Sequence, residues 1–153
     1  MNRIVLLDSG PLGLLTHRKG VAQADACRKW LRECVQHGFS FHVPEITDYE
    51  VRRELLRARK SAGVSRLDAF IAIEPGRYLP ITTAAMRQAA IFWAEARRRG
   101  QPTAPDQALD ADAILAAQAI TFDAPRESVI VATTNLDHLA QFVRAEFWDK
   151  IAP

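Results

Sequence analysis

At 153 residues, 48% hydrophobic and 25% charged, the chain has the length and composition of one folded domain (1–153), which excludes a largely disordered, collagen-like or fibrous protein. A formal net charge of +2 is too mild to establish a nucleic-acid partner by itself, and no apolar run approaches the roughly 20 residues of a membrane helix. The N-terminal run Ile4-Val5-Leu6-Leu7 meets Asp8 too soon for a signal peptide, so the expected location is cytoplasmic, away from the membrane.

Arg3 to Leu7 reads as a short buried strand, ending in Asp8-Ser9-Gly10-Pro11, where Ser9 suits a helix cap and Pro11 a first helical turn. Ala22 to His37 carries Ala26, Trp30 and Cys34, with Cys27, Leu31 and Val35 beside them, at helical spacing up to Gly38. Cys27 and Cys34 lie roughly 10 Å apart along that helix, out of disulfide reach, and are read as reduced thiols. Ser40 to Val43 is the second predicted strand. A charged helix follows from Glu45 to about Lys60, then a shorter one from Val64 to Ile73, stopped by Pro75-Gly76. Tyr78 to Ile81 is the third strand. Thr82 or Thr83 caps a long helix to Arg99-Gly100, Pro102 to Pro105 is a loop, and Ala108 to Ile120 is another helix. Ser128 to Ala132 is a strand, with a short helix from Leu136 and a last strand near Phe147-Trp148. Strands alternating with helices predict an α/β fold, a three-layer sandwich whose central, mostly parallel sheet is flanked by helices.

In such sheets ligands bind beyond the carboxyl ends of the strands, where Asp8 falls; capping the next helix is its alternative role. On the Glu45 helix, Ile46, Tyr49, Arg53 and Leu56 share a side, and Glu50 falls on it, four residues after Ile46. Glu50 is therefore expected to point inward, the alternative being a pair with Arg53; Glu54 lies on the same flank, farther from its centre. The run Ala108 to Ile120 is apolar almost all round, yet holds Asp112 on a face with Leu115, Ala116 and Ala119. An ionised carboxylate there is costly unless a cation or strong donors meet it. Asp110 projects elsewhere and suits the helix start. Three carboxylates gathered at one sheet edge repel by about 4 kcal/mol per close pair, a cost a bound cation reverses; hard oxygen ligands select Mg²⁺ or Mn²⁺. Such sites serve phosphodiester hydrolysis, in which metal ions lower the pKa of an attacking water and neutralise charge on the phosphate.

Four segments taken together resemble the PIN-domain ribonucleases, in particular the VapC-like toxins: Leu6-Leu7-Asp8-Ser9-Gly10, Pro44 to Leu55, Asp112 to Ala119, and Ala132-Thr133-Thr134-Asn135-Leu136-Asp137-His138-Leu139. The resemblance spans essentially the whole chain. It implies a Mg²⁺- or Mn²⁺-dependent endoribonuclease, the toxin of a toxin-antitoxin pair, with the family's acids falling on Asp8, Glu50 and Asp112. The family's closing motif falls on Thr133 and Asn135, so the catalytic set it implies is Asp8, Glu50, Asp112 and Asn135. Many members carry Asp where this chain has Asn135; an amide still coordinates through oxygen but adds no charge. Asp137 either compensates, giving the metal set Asp8, Glu50, Asp112 and Asp137, or caps the following helix. His138 is read as structural.

Arg52, Arg53 and Arg57 adjoin Glu50 and are the candidate RNA-binding residues; Arg97-Arg98-Arg99-Gly100 is read as a helix stop in preference to a phosphate clamp. The stripe Met86, Ala89, Ala90 and Trp93 is expected to pack on the core, with a second subunit as the alternative. The expected partners are an RNA substrate, a cognate antitoxin and a second copy in a homodimer. The alternative function is a catalytically weak or inactive PIN-like module that binds RNA or protein. A receiver-type phosphoacceptor fits poorly, because the acids are spread over two helices and no Lys lies near Ser128 to Asn135.

Overall fold

The computed structural model describes residues 3–100 and 106–153; the loop expected at Pro102 to Pro105 lies outside them. Five strands, β1 (Arg3–Leu7), β2 (Phe39–Pro44), β3 (Tyr78–Leu79), β4 (Val129–Thr133) and β5 (Ala145–Phe147), form one sheet. Its order is β3-β2-β1-β4-β5 and every pairing is parallel. The connecting helices are α1 (Ser9–Leu15), α2 (Ala22–Gln36), α3 (Glu45–Arg57), α4 (Ser61–Ile73), α5 (Thr83–Arg98) and α6 (Asp106–Ile120). No helix among the described residues is long and apolar enough to cross a membrane.

The apolar run of β1 is buried on both faces, and strand alternation divides it between two cores. Val5 and Leu7 pack with Leu12, Trp30, Phe41 and Leu67 in one layer. Ile4 and Leu6 pack with Ala89, Phe92, Leu115 and Val131 in the other. The chain leaves β1 toward β2 on one side and later returns to β4 on the other, so right-handed crossovers put α1 and α2 on one face and α5 and α6 on the opposite face. The order reverses between β1 and β4, which opens a crevice at their carboxyl ends.

Several elements depart from expectation for identifiable reasons. Asp8, not Ser9, is the cap of α1, and Pro11 lies within its first turn. β3 stops at Leu79 because Pro80 has no N–H and the Ile81 N–H donates to Glu45 Oε1 at 2.8 Å. After β4 the expected helix is only a 3-10 turn, Leu139–Gln141. The inward side of α3 is turned by one stripe: Thr47 is buried and Val51 and Leu55 join the core, whereas Tyr49 and Leu56 are 57% and 61% exposed. Gly63 of α4 explains the choice, since a Cβ there would come within 2.7 Å of Leu55 Cδ2, so α4 approaches that stripe closely. Likewise α5 buries Ala85, Ala89, Phe92 and Ala96, while Met86 and Trp93 lie outward, which corrects the core stripe expected there. The alanines give α6 a shallow seam to pack on. Gly100, at φ +69°, follows the end of α5, and Arg99 pairs with Glu95 at 3.7 Å, as a helix stop requires. Cys27 and Cys34 are buried free thiols, with burial pushing their pKa values up to about 12 and about 11.

Candidate acidic site at the sheet switch point

Asp8 continues the ladder beyond β1, its N–H donating to the Ala132 carbonyl at 2.9 Å. Its side chain then serves two elements. Oδ1 accepts from the Ser9 N–H at 2.7 Å and caps α1, while Oδ2 accepts from the Thr133 hydroxyl at 2.7 Å at the end of β4. With its hydrogen given to Asp8, the Thr133 oxygen accepts from the Asn135 N–H at 3.0 Å. Asn135 Oδ1 in turn accepts from the Asp137 N–H at 3.1 Å, an Asx turn that replaces a helix start. Gly10 locks the two segments together: a Cβ there would lie 2.2 Å from Thr134 Oγ1, so the first turn of α1 rests directly on the loop after β4.

Two further acids come from facing helices. Burial raises the Glu50 carboxyl to about 7, Asp8 adds to the rise, Arg53 opposes it and Asp112 adds again. Asp112 also rises to about 7, through burial first and then the charges of Asp8 and Asp137. Asp8 is raised by burial against the opposing bonds from Thr133 and Ser9. Asp8, Glu50, Asp112 and Asp137 therefore occupy one electrostatic neighbourhood. Asn135 adds no charge to it, and its side-chain oxygen accepts from the Asp137 N–H.

Gln118 sets the register of the two helices. Buried at 2% exposure, it donates to the Leu79 carbonyl at 2.9 Å and accepts from the Ile46 N–H at 3.4 Å, tying α6 to β3 and to the start of α3. Sequence reasoning passed over this residue, although the one amide in the apolar run Ala108 to Ile120 was a usable signal.

Among the described residues no three Asp, Glu, His or Cys side chains converge closely enough to grip a metal ion as they stand. Three partly buried acids, Asp8, Glu50 and Asp112, with the exposed Asp137 beside Asp112, nevertheless offer the hard oxygen donors and excess negative charge that a divalent cation answers. The donor chemistry fits such an ion.

The three candidate RNA-binding arginines have different surroundings. Arg52 donates to Asp48 at 2.9 Å and to Asp68 at 2.7 Å, joining α3 to α4. Arg57 donates to Glu54 at 2.9 and 2.7 Å, leaving Glu54 paired outside the acid cluster. Arg53 lies over the Tyr49 ring at 5.2 Å and bears on Glu50 electrostatically. Asp110 is exposed, and the His138 side chain caps nothing.

The sequence matches no family model. No curated protein matches it either. Solved structures do. A chain of VapBC2 from Rickettsia felis, in a complex bound to a DNA fragment from their promoter, is similar over 95% of this chain and 99% of its own, with a TM-score of 0.69 and 15% identity. A chain of FitAcB from Neisseria gonorrhoeae is similar over 96% and 99%, with a TM-score of 0.67 and 19% identity. For DNA-bound VapBC from Salmonella typhimurium the coverage is 97% and 99%, the TM-score 0.61 and the identity 22%. The likeness at these identities is one of fold, and it is the fold that the resemblance to VapC-like PIN domains implies.

Proposed function

We propose that this chain is a PIN-domain endoribonuclease that hydrolyses RNA phosphodiester bonds with Mg²⁺ or Mn²⁺ and serves in the cytoplasm as the toxin of a toxin-antitoxin pair. The observation that carries the reading is the gathering of Asp8, Glu50 and Asp112 from one strand end and two helices, with Glu50 and Asp112 each raised to about 7. A fold without a cationic ligand gains nothing from that repulsion. Asp8, Glu50 and Asp112 would hold the ion, with Asp137 as the fourth acid in preference to Asn135. When bound, a divalent cation supplies activation of water and neutralisation of phosphate charge.

The chain's own residues have separable tasks. Thr133 orients the Asp8 carboxylate by donating to Oδ2, and Ser9 fixes its other oxygen. Asn135 holds the turn that presents Asp137. Glu50 and Asp112, protonated in part at neutral pH, release protons as positive charge arrives. Arg53, beside Glu50, is the arginine of α3 best placed to meet substrate phosphate.

An antitoxin partner is supported by the fold likeness to chains of VapBC and FitAB complexes. A homodimer is supported by Tyr49, Leu56 and Ile81, which line an open hollow of about 450 Å³ that a second copy would cover. The test of the central reading is incubation of purified protein with a mixed single-stranded and looped RNA pool in Mn²⁺ and in EDTA. Cleavage in Mn²⁺ that EDTA abolishes is expected. Cleavage that persists in EDTA overturns the metal mechanism, and failure to cut in any divalent metal favours a binding module.

A further inference from the structure

The groove beside Glu50 has a charge pattern that the acid cluster does not explain. It encloses about 780 Å³ between α1 with its trailing loop, which supplies His17 and Arg18, and α3 with its joint to α4, which supplies Arg57 and Lys60. From Glu50 to Arg57 the α3 wall runs about 10 Å. Two of the cations along it are already engaged: Arg57 by Glu54, and Arg66 by the Thr16 carbonyl at 2.7 Å. Arg18 and Lys60 are exposed and make no side-chain hydrogen bond or ion pair among the described residues. Beyond Arg53, which lies over the Tyr49 ring beside Glu50, these two cations thus line, without an anionic partner among the described residues, a groove that opens on a cluster of repelling acids.

The loop bearing Arg18 is held in place. Arg28 of α2 donates from Nη1 to the carbonyls of Leu14 at 3.4 Å and His17 at 2.8 Å, and from Nη2 to that of Arg18 at 3.3 Å. Its remaining partner is the Asp25 carboxylate, whose pKa it lowers. Asp25 also accepts from the Gly20 N–H at 3.4 Å, closing the loop from its far side. One guanidinium fork therefore fixes the backbone on both sides of Arg18.

We propose that Arg18 and Lys60 form a phosphate track for the RNA strand where it leaves the acid cluster, and that Arg28 is the positioning residue that holds Arg18 in it. This rests on the ribonuclease reading. Carboxylates repel an incoming polyanion, and cations along the exit groove offset that repulsion where the strand still touches protein.

The test measures binding of a fluorescent single-stranded oligoribonucleotide of about 12 nucleotides. The parent protein is Asp112→Asn in Mg²⁺, which removes cleavage and one repelling charge. Between about 50 and 200 mM salt, Arg18→Ala and Lys60→Ala each lower the slope of log K against log salt by about 0.7, the contribution of one phosphate contact to a single strand. Arg28→Ala lowers it as Arg18→Ala does, and the double variant loses no more than either single one. Thermal unfolding checks each variant; should Arg28→Ala be unfolded, Arg28→Lys keeps the charge without the fork and is expected to lose the same slope. Arg126→Ala, near the opposite end of the sheet, leaves the slope unchanged. Unchanged slopes in Arg18→Ala and Lys60→Ala, with RNA still bound, overturn the track alone. Slope losses that add in the Arg18 and Arg28 double variant overturn the positioning role. Wild-type protein that neither binds nor cuts RNA overturns the ribonuclease reading together with the track, and a parent that binds none beside an active wild type overturns the track alone.

Discussion

Replacing Asp112 by Asn removes one charge at nearly constant shape, and the structure sets the size of the effect. Burial, then Asp8 and Asp137, raise this carboxyl from 3.8 to about 7. At 1.36 kcal/mol per pK unit that is about 4 kcal/mol opposing ionisation, which solvent at a partly buried side chain screens to about 2 kcal/mol. The unfolded chain ionises at the ordinary value, so between pH 3.8 and about 7 the folded protein binds more protons and its stability falls as pH rises. The penalty is small near pH 4 and complete above about pH 7. Metal-free Asp112→Asn is therefore expected to exceed wild type by about 2 kcal/mol at pH 8 and by about 0.5 kcal/mol at pH 4. For a chain of this size those gains raise Tm by about 4–8 °C and about 1–2 °C. Thermal unfolding followed by circular dichroism in EDTA at both pH values measures them. A loss of stability at pH 8, or an equal gain at the two pH values, refutes charge repulsion as the cause.

Asp8→Asn should abolish RNA cleavage without the same gain in stability, because an amide offers one accepting oxygen where Asp8 uses two; denaturant unfolding should place it about 1 kcal/mol below Asp112→Asn. Thr133→Val leaves Asp8 Oδ2 and the Asn135 N–H without their partner and should cost about 1–3 kcal/mol, with Thr133→Ser restoring most of it in the same assay. In a titration of cleavage against Mn²⁺, Asp137→Asn should raise the metal requirement more than Asn135→Ala; the reverse order would return the fourth position to Asn135. Arg52→Ala should destabilise the fold by about 1–3 kcal/mol, since it strands Asp48 at 8% exposure, yet leave the salt dependence of RNA binding unchanged.

The legible part of this molecule is whatever a local pattern determines. Asp8 ends an apolar strand and Asp112 interrupts an apolar helix, and both signals survive without tertiary knowledge. Glu50 was placed inward from the wrong stripe: periodicity defines adjacent stripes on α3, but contact with α4 at Gly63 selects Val51 and Leu55 over Tyr49 and Leu56. The same ambiguity misplaced Met86 and Trp93 on α5, whose alanine seam is chosen by α6. Arg52 looked available because Asp68, sixteen residues away, has no local signature as its partner. Asn135 accepts from the Asp137 N–H in an Asx turn, a backbone detail that spacing does not encode. Arg18 escaped notice for a similar reason, since its value comes from the Arg28 fork ten residues farther along.

The central claim is that the acids at the β1–β4 switch point are a cation site, and calorimetric titration of metal-free protein with Mn²⁺ at pH 7 tests it most directly. With Glu50 and Asp112 both near 7, binding should release about one proton per ion, read from the dependence of the heat on buffer ionisation enthalpy. Asp112→Asn should lose most of the affinity and part of the proton release. Wild-type protein that binds no Mn²⁺, or an Asp112→Asn variant that binds it equally well with the same proton release, contradicts the account.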